Sequence, residues 1–324
     1  MIMTDKPSKQ PQTAPDDAPF SHSRRGFLKR VGVVGGVAAT AGSVPAIGQA
    51  AWGGHTLSDA FADFFQRHYQ RMSRDEINAS LERIERRTKR LYDVTIQCED
   101  SRPLPDVVFG YALNISKCKG YRKCVTGCVT ENNMGRESQT QYIRVLQMKR
   151  GTIDLEHSDH YYDPETVPVA GMQYLPVQCQ QCEDPPCVKA CPVKATWKEP
   201  DGIIVVDYNW CIGCRYCMAS CPYFARRFNW SQPQIPAEKM NTFTSYLGNR
   251  PRPRGVVEKC HFCTQRTRNG RLPACHQACP TGARVFGNLL DPHSEIRYVL
   301  QNKTVFRLKE DLGTEPKFWY YTDV

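Results

Sequence analysis

The sequence predicts an α+β protein of two similar halves preceded by a helical extension. Three observations carry that expectation. Cysteines recur in four clusters, short apolar or alternating runs follow the clusters, and a helical periodicity comes before them. The chain has 324 residues, 40% hydrophobic and 23% charged, with sixteen cysteines. That length suits about two domains, and the composition excludes a disordered or fibrous chain. Mean hydropathy is −0.53. Outside a short N-terminal stretch, no apolar run approaches the roughly eighteen residues that span a bilayer.

Residues 1–50 read as an address. Ser23, Arg24, Arg25, Gly26, Phe27, Leu28 and Lys29 precede a weakly apolar stretch with small residues near Ala50. The paired arginines resemble a twin-arginine (Tat) signal, whose pathway exports folded proteins. Cleavage after Ala50 removes six cations and three anions and takes the net charge from +10 to +7. Residues 51–105 read as a helical extension and linker. Thr56 caps a first helix bearing Leu57, Phe61, Phe64 and Phe65. Ser73 and Glu76 form a capping box for a second, with Ile77, Leu81, Ile84 and Leu91 at helical spacing and Arg86, Arg87, Lys89 and Arg90 on a solvated face. Pro103 and Pro105 mark the linker.

Residues 106–290 form the core. Runs at 142–146, 203–206 and 284–286 read as small β-ribbons, and the proline-rich stretch 231–255 as a long surface loop. In the tail, 291–324, Ser294 caps a short helix, and Phe318, Trp319, Tyr320 and Tyr321 are expected to pack along the subunit.

The chemistry lies in the cysteine spacing. Motif one is Cys118, Cys124 and Cys128; motif two is Cys179, Cys182, Cys187 and Cys191. Motif three is Cys211, Cys214, Cys217 and Cys221; motif four is Cys260, Cys263, Cys275 and Cys279. Motif three reads C-x2-C-x2-C-x3-C-P, the bacterial ferredoxin run. Motifs two and four keep its two ends and lengthen the middle spacer. Motif one has Tyr121 where a second cysteine belongs. Three closely spaced thiolates wrap one iron–sulfur cube, and the fourth, turned away before proline, ligates the neighbouring one. Motifs of this kind act in pairs. A tetrahedral zinc site fits the third close cysteine badly, so zinc in a structural adaptor and a disulfide framework are the lesser readings.

These four motifs resemble the iron–sulfur electron-transfer subunit of the DMSO-reductase family, a fold of tandem bacterial-ferredoxin-like domains. The segments 178–187 and 210–217 are typical of it. The resemblance covers residues 106–290, and the export signal points to its periplasmic branch, nearest the DsrO-type subunit of sulfur metabolism. It implies that motif one pairs with four and motif two with three. One cube then takes Cys179, Cys182, Cys187 and Cys221; a second takes Cys211, Cys214, Cys217 and Cys191; a third takes Cys260, Cys263, Cys275 and Cys128. The fourth site holds Cys118, Cys124 and Cys279, with Tyr121 at the missing-ligand position. Three 4Fe-4S clusters are expected, while the fourth site is open between a three-iron (3Fe-4S) cluster, a four-iron cluster with another ligand, and no cluster. Cys98 lies outside the motifs, twenty residues before Cys118, and reads as an unremarkable thiol, the other reading being a ligand for the fourth site.

The resemblance also implies partners: a membrane quinone-reactive (NrfD-like) subunit, and a periplasmic cytochrome or molybdopterin catalytic subunit. The chain is then a non-catalytic relay in a respiratory complex, periplasmic and attached to the inner membrane through a partner. The other assignment is the electron-transfer subunit of a periplasmic molybdopterin reductase for tetrathionate, nitrite or a similar acceptor. Each cube carries roughly −2, which nearly cancels the basic charge, so that charge is no nucleic-acid footprint. No phosphate-binding loop, dinucleotide fingerprint or nucleophile elbow occurs. His157 and His160 read as a polar loop, and His261 and His276 as hydrogen-bonding neighbours of ligand cysteines.

Overall fold

The computed structural model describes residues 73–136 and 140–323. Residues 23–29 of the export signal and the helix expected after Thr56 lie outside the described residues. The elements run α1 (Arg74–Tyr92), β1 (Gln97–Glu99), β2 (Phe109–Asn114), α2 (Lys123–Glu131), β3 (Arg144–Lys149) and β4 (Met172–Val177). They continue with α3 (Pro186–Lys189), β5 (Thr196–Lys198), β6 (Ile204–Val206), α4 (Tyr216–Ala219), β7 (Arg226–Phe228), β8 (Phe243–Ser245) and β9 (Val257–Lys259). Last come α5 (Thr264–Thr267), α6 (Ala274–Gln277), β10 (Arg284–Asn288), α7 (Glu295–Asn302), β11 (Val305–Phe306) and β12 (Phe318–Tyr321).

Helix α1 begins where its capping box closes. Glu76 N donates to Ser73 Oγ (3.3 Å), and Ser73 N donates to Glu76 Oε2 (2.8 Å). Asp75 and Glu76 in the first turn and Lys89 and Arg90 in the last suit the helix dipole. Its buried residues are Ser80, Ile84 and Thr88. Leu91, expected beside them, is 49% exposed. Tyr92 takes the contact at the last turn, donating its hydroxyl to Pro233 O (2.9 Å). The helix packs on Ile96, Cys98, Ile235 and Met240.

Those last two residues belong to the stretch 231–255, which is not the surface loop its prolines suggested. It contains β8, paired in parallel with β1, and buries Asn249, Arg250 and Arg252. Partner strands distant in sequence satisfy its backbone, a pairing that no local pattern reveals.

Two halves organise the remainder. Helix α2, bearing Cys124 and Cys128, packs against α6, bearing Cys275; α3, bearing Cys187, packs against α4, bearing Cys217. Motifs one and four therefore share one half, and motifs two and three the other. Of the expected ribbons, 142–146 and 203–206 fall in the antiparallel pairs β3–β4 and β5–β6, whereas 284–286 is strand β10 of a larger sheet; β7–β9 is a further antiparallel pair. A four-stranded sheet, β10-β2-β12-β11, backs the first half. Its inner strand β12 is the C-terminal aromatic run, parallel to β2, with Phe318 and Tyr320 fully buried. The Phe318 ring stacks on Tyr111 at 4.9 Å. Each such buried ring contributes roughly 1.5–3 kcal/mol, so the run Phe318–Tyr321 is core rather than ornament.

The loops of motifs one and three share one backbone course. Gly120 and Arg122 take φ of 81° and 53°; Gly213 and Arg215 take 77° and 67°. Both loops turn left-handed twice and then enter a helix, α2 or α4, so Tyr121 occupies the place in its loop that Cys214 holds in its own. A Cβ at Gly213 would lie 2.3 Å from Gly255 O. Gly213→Ala should therefore cost more than the ~1–2 kcal/mol of left-handed strain alone, and more than Ser73→Ala, which loses a cap worth about 1 kcal/mol. Thermal unfolding followed by circular dichroism would show this as the larger drop in midpoint; an unchanged midpoint for Gly213→Ala would contradict the geometry.

Candidate iron–sulfur cluster sites

All sixteen cysteines are free thiols. Thirteen are buried, Cys118 and Cys279 are half-buried, and Cys214 is exposed. Burial without a cation disfavours a thiolate, and neighbouring thiolates disfavour one another. Both effects are visible, and the second shows which thiols the fold brings together.

Cys182 is pushed up to about 12 by burial and by Cys179, Cys187 and Cys221. Cys221, from the next motif, is raised by burial and then by Cys179 and Cys187. Cys217 is pushed up to about 11 by burial and by Cys211, Cys187 and Cys191. Cys214 lies on the same loop as Cys211 and Cys217. Cys128 is raised by burial and then by Cys263, Cys260, Cys275 and Cys124. Cys118 is pushed up to about 12 by burial, Cys124 and Cys279. The fold thus brings thiols of each set near one another, and in each a cysteine arrives from the partner motif: Cys221, Cys191, Cys128 and Cys279.

Repulsion also crosses between sets. Cys187 acts on Cys217, Cys179 on Cys260, and Cys275 on Cys124. The sets therefore follow one another as a row. The set with Cys191, Cys211, Cys214 and Cys217 comes first, then Cys179, Cys182, Cys187 and Cys221. Cys128, Cys260, Cys263 and Cys275 come next, and Cys118, Cys124 and Cys279 last. The two inner sets are wholly buried, whereas each outer set reaches the surface, at Cys214 and at Cys118, Cys279 and the 38%-exposed Tyr121.

The polar groups around the thiols suit thiolates, which together with a cluster core would carry net negative charge. Asn132 Nδ2 donates to Cys128 Sγ (3.5 Å) and Cys263 Sγ (3.8 Å), and Gln178 Nε2 points to Cys260 Sγ (4.0 Å). Arg226 Nη2 donates to Cys187 Sγ (3.1 Å). A backbone N–H four residues beyond the fourth cysteine repeats this in three motifs: Ala195 to Cys191 (3.2 Å), Ala225 to Cys221, and Ala283 to Cys279. Cys279 lies below its ordinary range: burial opposes this, but bonds from Thr281 and Ala283 and the Arg284 charge outweigh it. Buried N–H donors and guanidinium groups aimed at thiols are the surroundings that a thiolate-held iron–sulfur cluster requires. Among the described residues, no group of three or more His, Cys, Asp or Glu closes around a single metal ion. The residues fit clusters, which supply one-electron redox chemistry when bound.

Asn132, Gln178, Arg226 and Arg284 escaped the sequence reading. A signal for the arginines was present: Cys221 and Cys279 both open the run C-P-x-x-A-R. His261 Nδ1 accepts from Thr264 N (3.2 Å), while its Nε2 is buried with no protein partner. His157 is an exposed partner of Asp154. Cys98 is buried among Ile84, Ile96, Ile235 and Met240, in a core separate from the one containing Cys124. Tyr121 lines a cavity with Cys118, Cys124, Cys279 and Arg284.

Comparison with known proteins agrees with this chemistry. A 4Fe-4S dicluster domain matches residues 170–252 and 249–289. The chain is 40% identical over 214 residues to the putative dimethyl sulfoxide reductase iron-sulfur subunit of Halobacterium salinarum, covering 65% of this chain and 78% of that one. It is 38% identical to one of the polysulfide reductase chains of Wolinella succinogenes, covering 65% of this chain and 92% of that one. It is 37% identical to the menaquinone reductase iron-sulfur cluster-binding subunit of Nitratidesulfovibrio vulgaris, covering 66% and 88%. With buried, paired cysteine motifs that would hold multiple 4Fe-4S clusters, this protein belongs to the iron–sulfur subunits of the DMSO-reductase family.

Proposed function

We propose that this chain is a non-catalytic electron relay in a respiratory complex, linking a membrane quinone-reactive (NrfD-like) subunit to a periplasmic redox partner, as a DsrO-type subunit would. The observation that carries this reading is the row of thiol sets, buried in the middle and open to the surface at both ends. A relay needs an entry and an exit, and a buried interior that keeps its carriers from solvent. The relatives include a menaquinone reductase subunit and a polysulfide reductase chain, which supports a quinone at one end. Among the described residues no helix is long and apolar enough to cross a membrane, which fits attachment through a partner. The twin-arginine signal at residues 23–29 supports export after cluster insertion. The relatives named as tetrathionate and selenate reductase subunits favour the second reading, a molybdopterin reductase as the periplasmic partner.

In this reading the ligand sets are Cys179, Cys182, Cys187 and Cys221; Cys191, Cys211, Cys214 and Cys217; and Cys128, Cys260, Cys263 and Cys275, which the nearness of these thiols supports. The fourth site, with Cys118, Cys124 and Cys279, holds a three-iron cluster. Its loop follows the course of motif three, and Tyr121 removes only the ligand at the outer corner. Anaerobically purified protein should contain about fifteen irons per chain, from three four-iron clusters and one three-iron cluster. About twelve would mean an empty fourth site, and iron near zero with zinc present would overturn the relay.

Two variants test the assignment further. Tyr121→Cys should raise the count to about sixteen irons and abolish the electron paramagnetic resonance signal of the oxidised three-iron cluster. Cys98→Ala should leave iron content unchanged; a loss of iron would make Cys98 a ligand after all.

A further inference from the structure

Among the described residues, Arg226 and Arg284 are the two arginines whose guanidinium groups meet a cysteine sulfur, and they occupy equivalent places in the two halves. Each ends a C-P-x-x-A-R run and is the first residue of a strand, β7 or β10. The matching position after motif two is Thr196, at the start of β5, and motif one lacks the run. Each half therefore has one arginine. Both are almost fully buried, at 2% and 3% exposure.

Neither is neutralised by a carboxylate. Arg226 Nη2 donates to Cys187 Sγ (3.1 Å) and Thr196 Oγ1 (3.0 Å), while its Nε and Nη1 are buried with no partner. Its charge reaches Cys187 and Cys179 of one set and Cys217 of the adjoining one. Arg284 Nη1 donates to Gln178 Oε1 (3.0 Å) and Tyr111 Oη (3.4 Å) and approaches Cys275 Sγ (3.8 Å), while its Nη2 is buried with no partner. Its charge reaches Cys124, Cys118 and Cys279 of one set and Cys275 of the next. A buried cation with unused donors needs an anion beside it. The surrounding thiols supply one only when they hold metal.

We propose that Arg226 and Arg284 set the reduction potentials of the two clusters between which each one lies. The assignment rests on the iron–sulfur reading of the same thiols. Reduction adds one negative charge to a cluster, and in a poorly polarisable interior a cation nearby stabilises that charge strongly. Each arginine thus raises the potentials of its own pair, and the row is tuned as two pairs rather than as four separate sites. Thr196 and Gln178 are positioning residues: they hold the guanidinium groups against the sulfurs.

The test is a redox titration followed by electron paramagnetic resonance on anaerobically purified full-length variants, with iron and sulfide counted first. Signals are assigned to each half by cysteine-to-serine substitutions. Arg226→Met should make reduction of the motif-two and motif-three pair at least tenfold less favourable, 59 mV for one electron, and leave the other pair in place. Arg284→Met should do the reverse. Arg226→Gln, which keeps a donor but not the charge, should follow Met, and Arg226→Lys should stay near wild type. Full iron content with unmoved potentials would overturn the proposal, as would equal shifts in both halves. Loss of iron from both neutral variants would also overturn it, since the charge would then serve assembly rather than potential. A wild-type chain with zinc and no iron would remove the iron–sulfur reading itself, an outcome separable from the others at the metal count.

Discussion

The constraint on which everything else depends is that each set joins the thiols of one loop to a last thiol from another. Cys221 must reach the loop of Cys179, and Cys128 must reach that of Cys260. No single motif can close alone, so α3 has to pack on α4 and α2 on α6. Thiols brought this close repel and pay desolvation as well, which is why their titration is pushed upward in the bare protein. A cationic guest reverses the sign of both effects, so guest and fold stabilise one another.

Around that constraint lies a rigid polar frame. Arg252 is buried, pairs with Glu258 at 2.6 Å, and donates to the carbonyl of Asn132, whose amide meets Cys128 and Cys263. Tyr142 completes the pair by donating to Glu258 (2.8 Å). Arg268 holds Asp201 at 2.8 Å and also bonds Glu199 and the backbone of Ser101. Such buried pairs contribute little net stability, but removing one partner is costly. Their effect is to hold loops in one arrangement. Arg226 and Arg284 differ because no carboxylate faces them. That contrast separates framework arginines from those directed at the thiols.

Spacing alone made the four motifs and the departure at Tyr121 legible, because ligand spacing is a local property of the chain; the pairing of motifs into halves and sets came from the family resemblance. The capping box at Ser73 and Glu76 was equally plain. Less visible was the stretch 231–255, whose prolines suggested a loop and whose strand β8 pairs with a segment far back in the chain. The aromatic tail was expected to pack, but not to lie inside the sheet between β2 and β11. The two arginines were hidden for another reason: an arginine after a motif looks the same in sequence whether it faces water or sulfur.

By itself, then, the sequence determined the chemistry of each site, since thiol number, spacing and the following proline decide what a loop can bind. Tertiary structure decided the order of the sets, with Cys214 near one end of the row and Tyr121 near the other. It also decided the burial of the inner thiols and the turn of Arg226 and Arg284 inward between them. The physical reason is range: coordination is written over a few residues, whereas order, dielectric surroundings and charge placement arise only when distant segments pack together.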